Sequence, residues 1–372
     1  MKENKVITNI DHLTPEWMTT IFKNKGYLSQ GKVARIILNH SEVTLSSNIH
    51  FLKVKFSNDA QREPSIPYIV VKTPKRIFKN LGTHEVKFYS MIAETMNQGT
   101  IPTCYDAAVS EESGWSHIIL EDLSKTHLGV CDYPPAKRYF EKAIDCLAEI
   151  HAFWRDHPKL KELSKHSYVL YNFKENSFNE EEIFKWFKNP CPFKKRTISQ
   201  FLEFLGDKIS DNRKEVVKSV FSLYPQVAYE RIKKENITFI NADAHLGNFF
   251  FPKDMASKKS RAILFDWQSW GIGVGCQDLA YMIGLFYYSD YRHLMEMDLI
   301  KRYHNELLKL DIKDYSWDDC WYDYKLFALL NLYRIILWWC VGKPPIEWLY
   351  SLENTLCTIE DLNCMELLVK KE

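Results

Sequence analysis

The sequence lacks an excess of charge of either sign, since 49 lysines and arginines face 48 aspartates and glutamates over 372 residues. Wholesale disorder requires high net charge together with low hydrophobicity. Because hydrophobic residues make up 46% of this chain, a globular protein is expected. The balanced charge also argues against a protein that binds nucleic acid, which usually carries a basic excess. The length suits two or three domains or one large two-part unit.

The chain also lacks CxxC pairs, a signal-like apolar core near its first residues, and a long apolar run. Its nine scattered cysteines fit neither a disulfide framework nor a zinc site, so thiols in a reducing compartment are expected. The most apolar stretch, Phe327 to Gly342, is interrupted by Asn331 and Arg334. It is shorter than the ~20 residues of a membrane span. These features predict a cytoplasmic protein with a buried helix and no membrane insertion.

The order of secondary structure predicts an α+β fold. Thr14 before Pro15 is typical of a helix start, and that helix should end near Lys25. Strand patterns follow at 33–38, 49–56, 68–73, 104–109 and 115–120, with a helical pattern at 84–96. Helical patterns then prevail, apart from short strands at 237–240, 249–251 and 262–265. We therefore expect a small β-rich region, 1–122, before a larger helical region, 123–372, that carries a hairpin.

Polar side chains stand at the strand ends of this hairpin. Asp243 and Asn248 lie five residues apart in the loop after the first strand, and Asp266 ends the third strand. Such groups between apolar residues are costly unless they are hydrogen-bonded or bind something. Two carboxylates and one amide form a hard oxygen set that suits Mg²⁺. His245 lies nearby, but no second histidine or cysteine completes a zinc set.

The same residues carry a resemblance to a known family. The run 241–248 (Asn-Ala-Asp-Ala-His-Leu-Gly-Asn), then Phe265-Asp266 and Gln277-Asp278-Leu-Ala, resembles the motifs of the aminoglycoside phosphotransferase and choline kinase group. Upstream, Lys72 after two valines resembles the third-strand lysine of these small-molecule kinases. Glu85, in a Glu-x-x-Phe-Tyr setting, resembles their helix glutamate. The segment Leu147 to Ala152 is similar to the helix beneath their catalytic loop, and the likeness runs in the expected order from about residue 30 to 285.

This resemblance implies a bilobed protein-kinase-like fold that binds ATP. By analogy, Lys72 would hold the α- and β-phosphates, and Glu85 would pair with it and fix its aim. Glu121-Asp122-Leu123 resembles the segment that links the lobes, so the main chain at Glu121 and Leu123 would meet the adenine edge.

The resemblance also implies roles in phosphoryl transfer, where catalysis is mainly positioning and electrostatic stabilisation. Asp243 would be the catalytic residue that accepts or orients the proton of the acceptor hydroxyl. Asn248 and Asp266 would hold Mg²⁺. Asp278 fits better as an anchor for the catalytic loop than as a ligand.

The chain departs from the family pattern in three places. Asn241 stands where the family usually has histidine, although an amide also offers a donor and an acceptor. The phosphate loop, 39–49, contains no glycine, so Ser46 and Ser47 at its tip are the expected phosphate contacts. Asp266-Trp-Gln lacks the glycine that follows Asp-Phe in protein kinases, and no Ala-Pro-Glu follows. A phosphorylation-switched activation loop is therefore not expected.

The sequence thus predicts an ATP- and Mg²⁺-dependent kinase that acts on a small-molecule hydroxyl. Aminoglycosides, choline-like amines, sugars, steroid alcohols and macrolides all stay open as acceptors, and no oligomeric state follows from the residues. The alternative is a non-catalytic kinase-like module that binds a nucleotide or another ligand, favoured by the glycine-free loop and Asn241. His151, on an apolar helix face, is interpreted as a hydrogen-bonded core histidine.

Overall fold

The computed structural model describes residues 6–44, 46–62, 68–96, 99–163, 173–174, 177–178, 197–232, 236–257 and 260–369. The chain divides into two compact units. The first comprises residues 1–129 and 250–269, and the second comprises residues 130–249 and 270–372. The predicted α+β class is confirmed, because strands dominate the N-terminal region and helices the C-terminal region. The boundary near residue 123 between two functional regions stays a prediction.

A five-stranded antiparallel sheet forms the centre of the first unit. Its strands are β2 (Val33–Val43), β3 (Ser47–Phe56), β5 (Tyr68–Pro74), β6 (Cys104–Val109) and β7 (Ser116–Glu121). Their spatial order is β2-β3-β5-β7-β6. A separate short pair consists of β1 (Leu28–Gln30) and β4 (Gln61–Arg62). All five sheet strands were predicted, and β2 extends beyond its predicted end at Leu38.

Two helices pack beside this sheet. α1 (Pro15–Asn24) begins as predicted, because the Thr14 hydroxyl accepts a 3.2 Å hydrogen bond from the Trp17 N–H and Pro15 occupies the first helical position. Its buried face joins the apolar core of the sheet. α2 (Lys79–Met91) starts and ends five residues before the predicted bounds 84–96, and a 3₁₀ turn, Ala93–Thr95, follows it.

The segment 250–269 groups with the first unit, although the sequence pattern predicted it as part of the helical region. Its strand β12 (Phe249–Pro252) lies between β8 (His127–Leu128) and β13 (Ile263–Leu264) in a three-stranded sheet. The first strand of the predicted hairpin, β11 (Thr238–Ile240), instead pairs antiparallel with β14 (Gly271–Gly273) in the second unit. The strand β14 was not predicted.

The second unit is mainly helical. Its helices are α3 (Lys137–Trp154), α4 (Leu160–Leu163), α5 (Ile198–Leu205), α6 (Asp211–Ile232), α7 (Cys276–Gly284), α8 (Ser289–His293), α9 (Glu296–Lys309), α10 (Trp317–Ala328), α11 (Asn331–Val341) and α12 (Leu349–Asp361). Two short strands, β9 (Phe173–Lys174) and β10 (Ser177–Phe178), also belong to it. α3 packs against α9, and α7 packs against α10.

A buried ion pair links two of these helices. Arg231 donates two 2.5 Å hydrogen bonds to the carboxylate oxygens of Asp323, and the Tyr315 hydroxyl donates a third at 2.7 Å. Buried charges are tolerated when they are paired and hydrogen-bonded in this way. α10 is thereby fixed against α6.

The apolar stretch in α10 and α11 is a core element. The segment Trp317–Val341 is long and apolar enough to cross a membrane by composition, but 72% of its most apolar window is buried inside the protein. Such burial is typical of the core helices of soluble proteins. The prediction of a buried helix is confirmed for this stretch.

Among the cysteines in the described ranges, one departs from the prediction, and Cys191 lies outside the described residues. Seven carry no disulfide bond: Cys104, Cys131, Cys146, Cys276, Cys320, Cys357 and Cys364. Cys340 is disulfide-bonded, so the expectation of a thiol is wrong at that position.

Candidate functional site

The first unit brings Lys72, Glu85 and Asp266 together. Residues alternate in β5, so Ile69, Val71 and Thr73 are buried on one face of the strand while Lys72 points to the other. Lys72 Nζ lies 2.7 Å from Glu85 Oε2 of α2 and 3.0 Å from Asp266 Oδ1. The predicted ion pair between Lys72 and Glu85 is therefore present.

The charges of this cluster do not cancel. Burial lowers the pKa of Lys72, but the negative charges of Glu85 and Asp266 outweigh that effect and raise the pKa above its ordinary value. Burial likewise raises the pKa of Glu85, and the ammonium at 2.7 Å opposes that rise. One ammonium between two carboxylates leaves a net charge of −1.

The segment after Asp266 is held against α2. The rings of Trp267 and Phe88 stack with their centroids 4.2 Å apart, and both side chains are fully buried. One turn earlier in α2, His84 Nδ1 makes a 2.8 Å hydrogen bond to the Gln268 carbonyl. Glu85 lies between these two contacts and accepts a hydrogen bond from the Trp267 N–H. The chain after Asp266 is thus held against α2 by a ring stack and two hydrogen bonds.

Asp266 itself has a left-handed backbone conformation, with φ of 58°. Aspartate adopts this conformation more readily than most residues, but a single such residue still costs about 1 kcal/mol or more. Strained conformations of this kind concentrate at functional sites, where the surrounding contacts maintain them.

The predicted phosphate-loop serines lie beside the Lys72 cluster. Ser46, Ser47, Lys72 and Glu85 line one small cavity of about 10 Å³, which has room for about one water molecule. The turn between β2 and β3 is closed without glycine, because the Thr44 N–H donates to the Ser47 carbonyl at 2.9 Å and the Ser47 N–H donates to the Thr44 hydroxyl at 3.0 Å. One main-chain and one side-chain hydrogen bond therefore close this turn without the positive φ that a glycine would supply.

Glu121 and Leu123 stand at the end of β7. The Glu121 N–H donates a 2.9 Å hydrogen bond to the Thr103 carbonyl. Leu123 begins a 3₁₀ turn, Leu123–Lys125. The Leu123 carbonyl accepts a 3.0 Å hydrogen bond from the Thr126 N–H. Of the main-chain groups predicted to meet adenine, the Glu121 N–H is already engaged in the sheet.

In the second unit, the loop after β11 carries Asp243 and Asn248. The Asp243 N–H donates to Asn241 Oδ1 at 3.0 Å, so the amide of Asn241 braces the loop as an acceptor. Asn248 Nδ2 donates to the Asp243 carbonyl at 2.8 Å and lies 3.5 Å from Asp243 Oδ2. The amide oxygen of Asn248 therefore points away from the Asp243 carbonyl.

Asp278 anchors this loop, as predicted. Its two oxygens accept 2.8 Å hydrogen bonds from the N–H groups of Asn241 and Ala242, and it is fully buried. Ala242 has a φ of 62°, a conformation that costs a residue with a Cβ about 1–2 kcal/mol. His151 is the core histidine that was predicted, since its Nδ1 bonds to the Tyr303 hydroxyl at 2.9 Å and its Nε2 lies 3.4 Å from Asp278. The Asp278 carboxylate thus holds a strained loop in place.

Two contacts to the loop were missed from the sequence. The Tyr281 hydroxyl donates a 2.6 Å hydrogen bond to Asp243 Oδ1. Arg334 Nη1 donates to the Ala242 carbonyl at 2.6 Å, and its guanidinium lies 4.2 Å from the centroid of the Tyr281 ring. Burial and the negative charge of Asp243 raise the pKa of Tyr281, so its hydroxyl stays protonated and donates. A signal for Arg334 existed, because it is a charge inside the most apolar stretch of the chain.

In the described part of the chain, no group of three or more histidine, cysteine, aspartate or glutamate side chains could hold a metal ion. Any divalent cation would need amide, phosphate or water oxygens in addition to a carboxylate, which is the coordination that Mg²⁺ accepts.

The family of the chain follows from a comparison with protein-family models. The model described as the ecdysteroid kinase-like family matches residues 25–314. The chain belongs to this family. Membership of the ecdysteroid kinase-like family identifies it as a small-molecule kinase, a phosphotransferase, and confirms the predicted class of enzyme. A search of curated proteins finds no match.

Solved structures confirm the predicted protein-kinase-like fold for this member of the ecdysteroid kinase-like family. The GDP complex of an aminoglycoside 2′-phosphotransferase-IIIa mutant matches with a TM-score of 0.54 and 10% identity, over 94% of this chain and 98% of that chain. A microcompartment-associated aminopropanol kinase matches with a TM-score of 0.54 and 9% identity, over 94% and 99%. The GDP and kanamycin complex of APH(2″)-IIia matches with a TM-score of 0.50 and 11% identity, over 94% and 97%. At these identities the likeness concerns the fold alone.

Proposed function

We propose that the protein transfers the γ-phosphate of ATP to a hydroxyl group of a small molecule, with Mg²⁺ as cofactor. The observation that carries the proposal is the Lys72 cluster, where one ammonium lies 2.7 Å from Glu85 and 3.0 Å from Asp266. A lysine whose ammonium group is oriented by a neighbouring carboxylate is suited to bind nucleotide phosphates. Two of the similar solved structures contain GDP, which supports nucleotide binding.

The first unit supplies the proposed nucleotide contacts. Lys72 binds the α- and β-phosphates, and Glu85 keeps its ammonium in place. Ser46 and Ser47 offer hydroxyl and main-chain groups to the phosphates. Because the Glu121 N–H is engaged in the sheet, the Glu121 carbonyl and the Leu123 N–H are the proposed contacts to the adenine edge.

Asp243 is the proposed catalytic residue. The acceptor oxygen forms a bond to the γ-phosphorus while the bond from that phosphorus to the bridging oxygen of ADP breaks. The acceptor proton passes to the Asp243 carboxylate, and the products are ADP and a phosphate ester. The Tyr281 hydroxyl and the side-chain amides of Asn248 and Asn241 hold Asp243 in one orientation, which such a proton transfer requires.

Asp266 and Asn248 are the proposed residues for Mg²⁺. Carboxylate and amide oxygens fit this hard cation, and the net negative charge of the Lys72 cluster favours a divalent cation near Asp266. When bound, Mg²⁺ neutralises the charge that develops on the phosphoryl oxygens. Manganese with ATP should substitute in part, since it accepts the same ligands.

The acceptor is proposed to be a hydroxylated small molecule handled by a soluble, cytoplasmic enzyme. The name of the family makes steroid alcohols the first class to test, followed by aminoglycosides, choline-like amines, sugars and macrolides. ADP release would be measured for each class, with ATP and Mg²⁺ present and with the metal removed by chelation. Metal-dependent turnover of any one of these acceptor classes would support the proposal.

A matched pair of variants tests the catalytic assignment. Asp243→Asn keeps the shape of the side chain and should lower kcat by about 10² to 10⁴-fold, while Asp290→Asn, a change at an exposed aspartate, should leave it unchanged. Full turnover in Asp243→Asn would show that the base is another group. Thermal-shift titration with ATP distinguishes the alternative: a module without catalytic function would show no Mg²⁺-dependent nucleotide response.

A further inference from the structure

A second cavity in the first unit has no part in the proposed reaction. It has a volume of about 170 Å³ and lies beside the C-terminal end of α2, between the end of α1 and the start of β6. Its walls include Tyr27 and Tyr89, together with the side chains of Lys25, Glu94 and Asp106. None of the residues assigned to nucleotide or metal binding contributes to its walls.

The hydroxyl of Tyr89 is without a partner at this cavity. The side chain is 2% exposed, and its hydroxyl oxygen makes no hydrogen bond within the described residues. A buried hydroxyl in that condition is costly, and native proteins usually satisfy such groups with a protein, water or ligand atom. Tyr89 is one of the residues that line the cavity, so a molecule bound there lies against this side chain.

The walls of the cavity carry one negative charge in excess. Lys25 Nζ is paired with Glu94 Oε1 at 2.7 Å, so that ammonium is already engaged. The Asp106 Oδ2 atom lies 2.9 Å from Nε2 of the buried His117. This histidine does not neutralise Asp106, because the Ile7 N–H donates to His117 Nδ1 at 3.1 Å. An imidazole that accepts at Nδ1 carries its single proton on Nε2 and is neutral.

We propose that this cavity binds a small organic ammonium ion, with the ammonium group paired to Asp106 and a hydrogen bond that satisfies Tyr89. Two tyrosines, Tyr27 and Tyr89, line the cavity, and aromatic rings attract cations over their faces. A cavity of about 150 Å³ holds benzene, so a ligand of roughly eight non-hydrogen atoms fits. The site is independent of ATP, and it lies on the helix that carries Glu85, one turn beyond that residue.

Benzylamine is a suitable probe, with benzyl alcohol and benzoate as neutral and anionic controls of the same shape. Ligand-observed NMR titration of the full chain without nucleotide should give a Kd on the order of 1 mM for benzylamine, as expected for eight atoms at ordinary ligand efficiency. Benzyl alcohol and benzoate should bind at least about tenfold more weakly. Equal binding of all three, or no saturable binding of the amine, would overturn the proposal.

Two variants locate the binding. Asp106→Asn keeps an oxygen acceptor for the His117 N–H and should weaken benzylamine about tenfold, whereas Asp59→Asn at an exposed position should have no effect. Tyr89→Phe removes only the unpartnered hydroxyl, so the fold should be kept while benzylamine binding weakens about threefold. Unchanged affinity in both cavity variants would place the ligand elsewhere and refute the site. If Asp106→Asn failed to fold, Tyr89→Phe and the charge series on the natural chain would still decide.

Discussion

The hydroxyl of Tyr281 donates a 2.6 Å hydrogen bond to Oδ1 of Asp243. Tyr281 is the third residue after Asp278 in α7. The contact therefore links this helix to the loop that carries the proposed catalytic carboxylate, within the second unit. Arg334 packs over the tyrosine ring and also holds the Ala242 carbonyl. The orientation of Asp243 therefore depends on α7 and α11 as well as on its own loop.

Tyr281→Phe should lower kcat about tenfold with little change in the KM for ATP, because it removes a contact that orients Asp243 and none that holds the nucleotide. The loss of one hydrogen bond should cost about 1–1.5 kcal/mol of folding free energy. Steady-state kinetics with the acceptor found in the panel would check this. Tyr288→Phe, at a tyrosine that is 65% exposed, is the matched control. A rise in KM with kcat unchanged would contradict a positioning role.

Asp278→Asn should lower stability by about 2–4 kcal/mol, since one of the two main-chain N–H groups of the loop would then face an NH₂ group instead of an oxygen. The strained conformation of Ala242 would lose its support, and activity should fall more than stability alone explains. Urea denaturation and kinetics on the same preparation measure both effects. A loss below about 0.5 kcal/mol, which is typical of surface substitutions, would mean that Asp278 does not hold the loop.

Lys72→Met should destabilise the first unit by about 3–5 kcal/mol, because Glu85 and Asp266 would be left as partly or fully buried carboxylates without a cation. The double variant Lys72→Met with Glu85→Leu should cost less than the sum of the two single changes, since it removes one of the stranded charges. Chemical denaturation of the four proteins gives the coupling energy. Strict additivity would show that the ion pair contributes nothing to the fold.

Gly82→Ala should weaken the fold through the contact between α2 and the sheet. A Cβ atom there would lie 2.6 Å from the Ser116 hydroxyl and 2.8 Å from Pro74 Cγ, and the rigid proline ring has little freedom to move. Overpacking of this kind costs about 1–3 kcal/mol, and better helix propensity returns about 1 kcal/mol at most. Nucleotide affinity should fall as well, because α2 carries Glu85.

Gly129→Ala is the control for this change, since no atom lies within 4 Å of a Cβ at that glycine. Thermal melts of both variants, with and without ATP, would test the expectation. If Gly82→Ala raised the melting temperature, α2 would have to tolerate a displacement from the sheet.

Local patterns in the sequence were sufficient for the α+β class and the five strands of the sheet, and they located β11, β12 and β13 but not the pairing of β11. Period-two alternation in β5 and the cap formed by Thr14 and Pro15 depend on neighbours within a few residues, so they can be read without a fold. The resemblance to small-molecule kinases implied that Lys72 pairs with Glu85, and this ion pair is present in the structure. The roles proposed for Asp243, Asn248 and Asp266 stay predictions.

Only the tertiary structure decided which distant residues meet. Tyr281 and Arg334 are 38 and 92 positions from their partners Asp243 and Ala242, and no periodic pattern connects residues on different helices. The pairing of β11 with β14, the stacking of Trp267 on Phe88 and the neutral state of His117 likewise depend on packing. Hydrophobic periodicity reports which face of an element is buried, whereas the partners of that face are chosen by the packing of the whole unit.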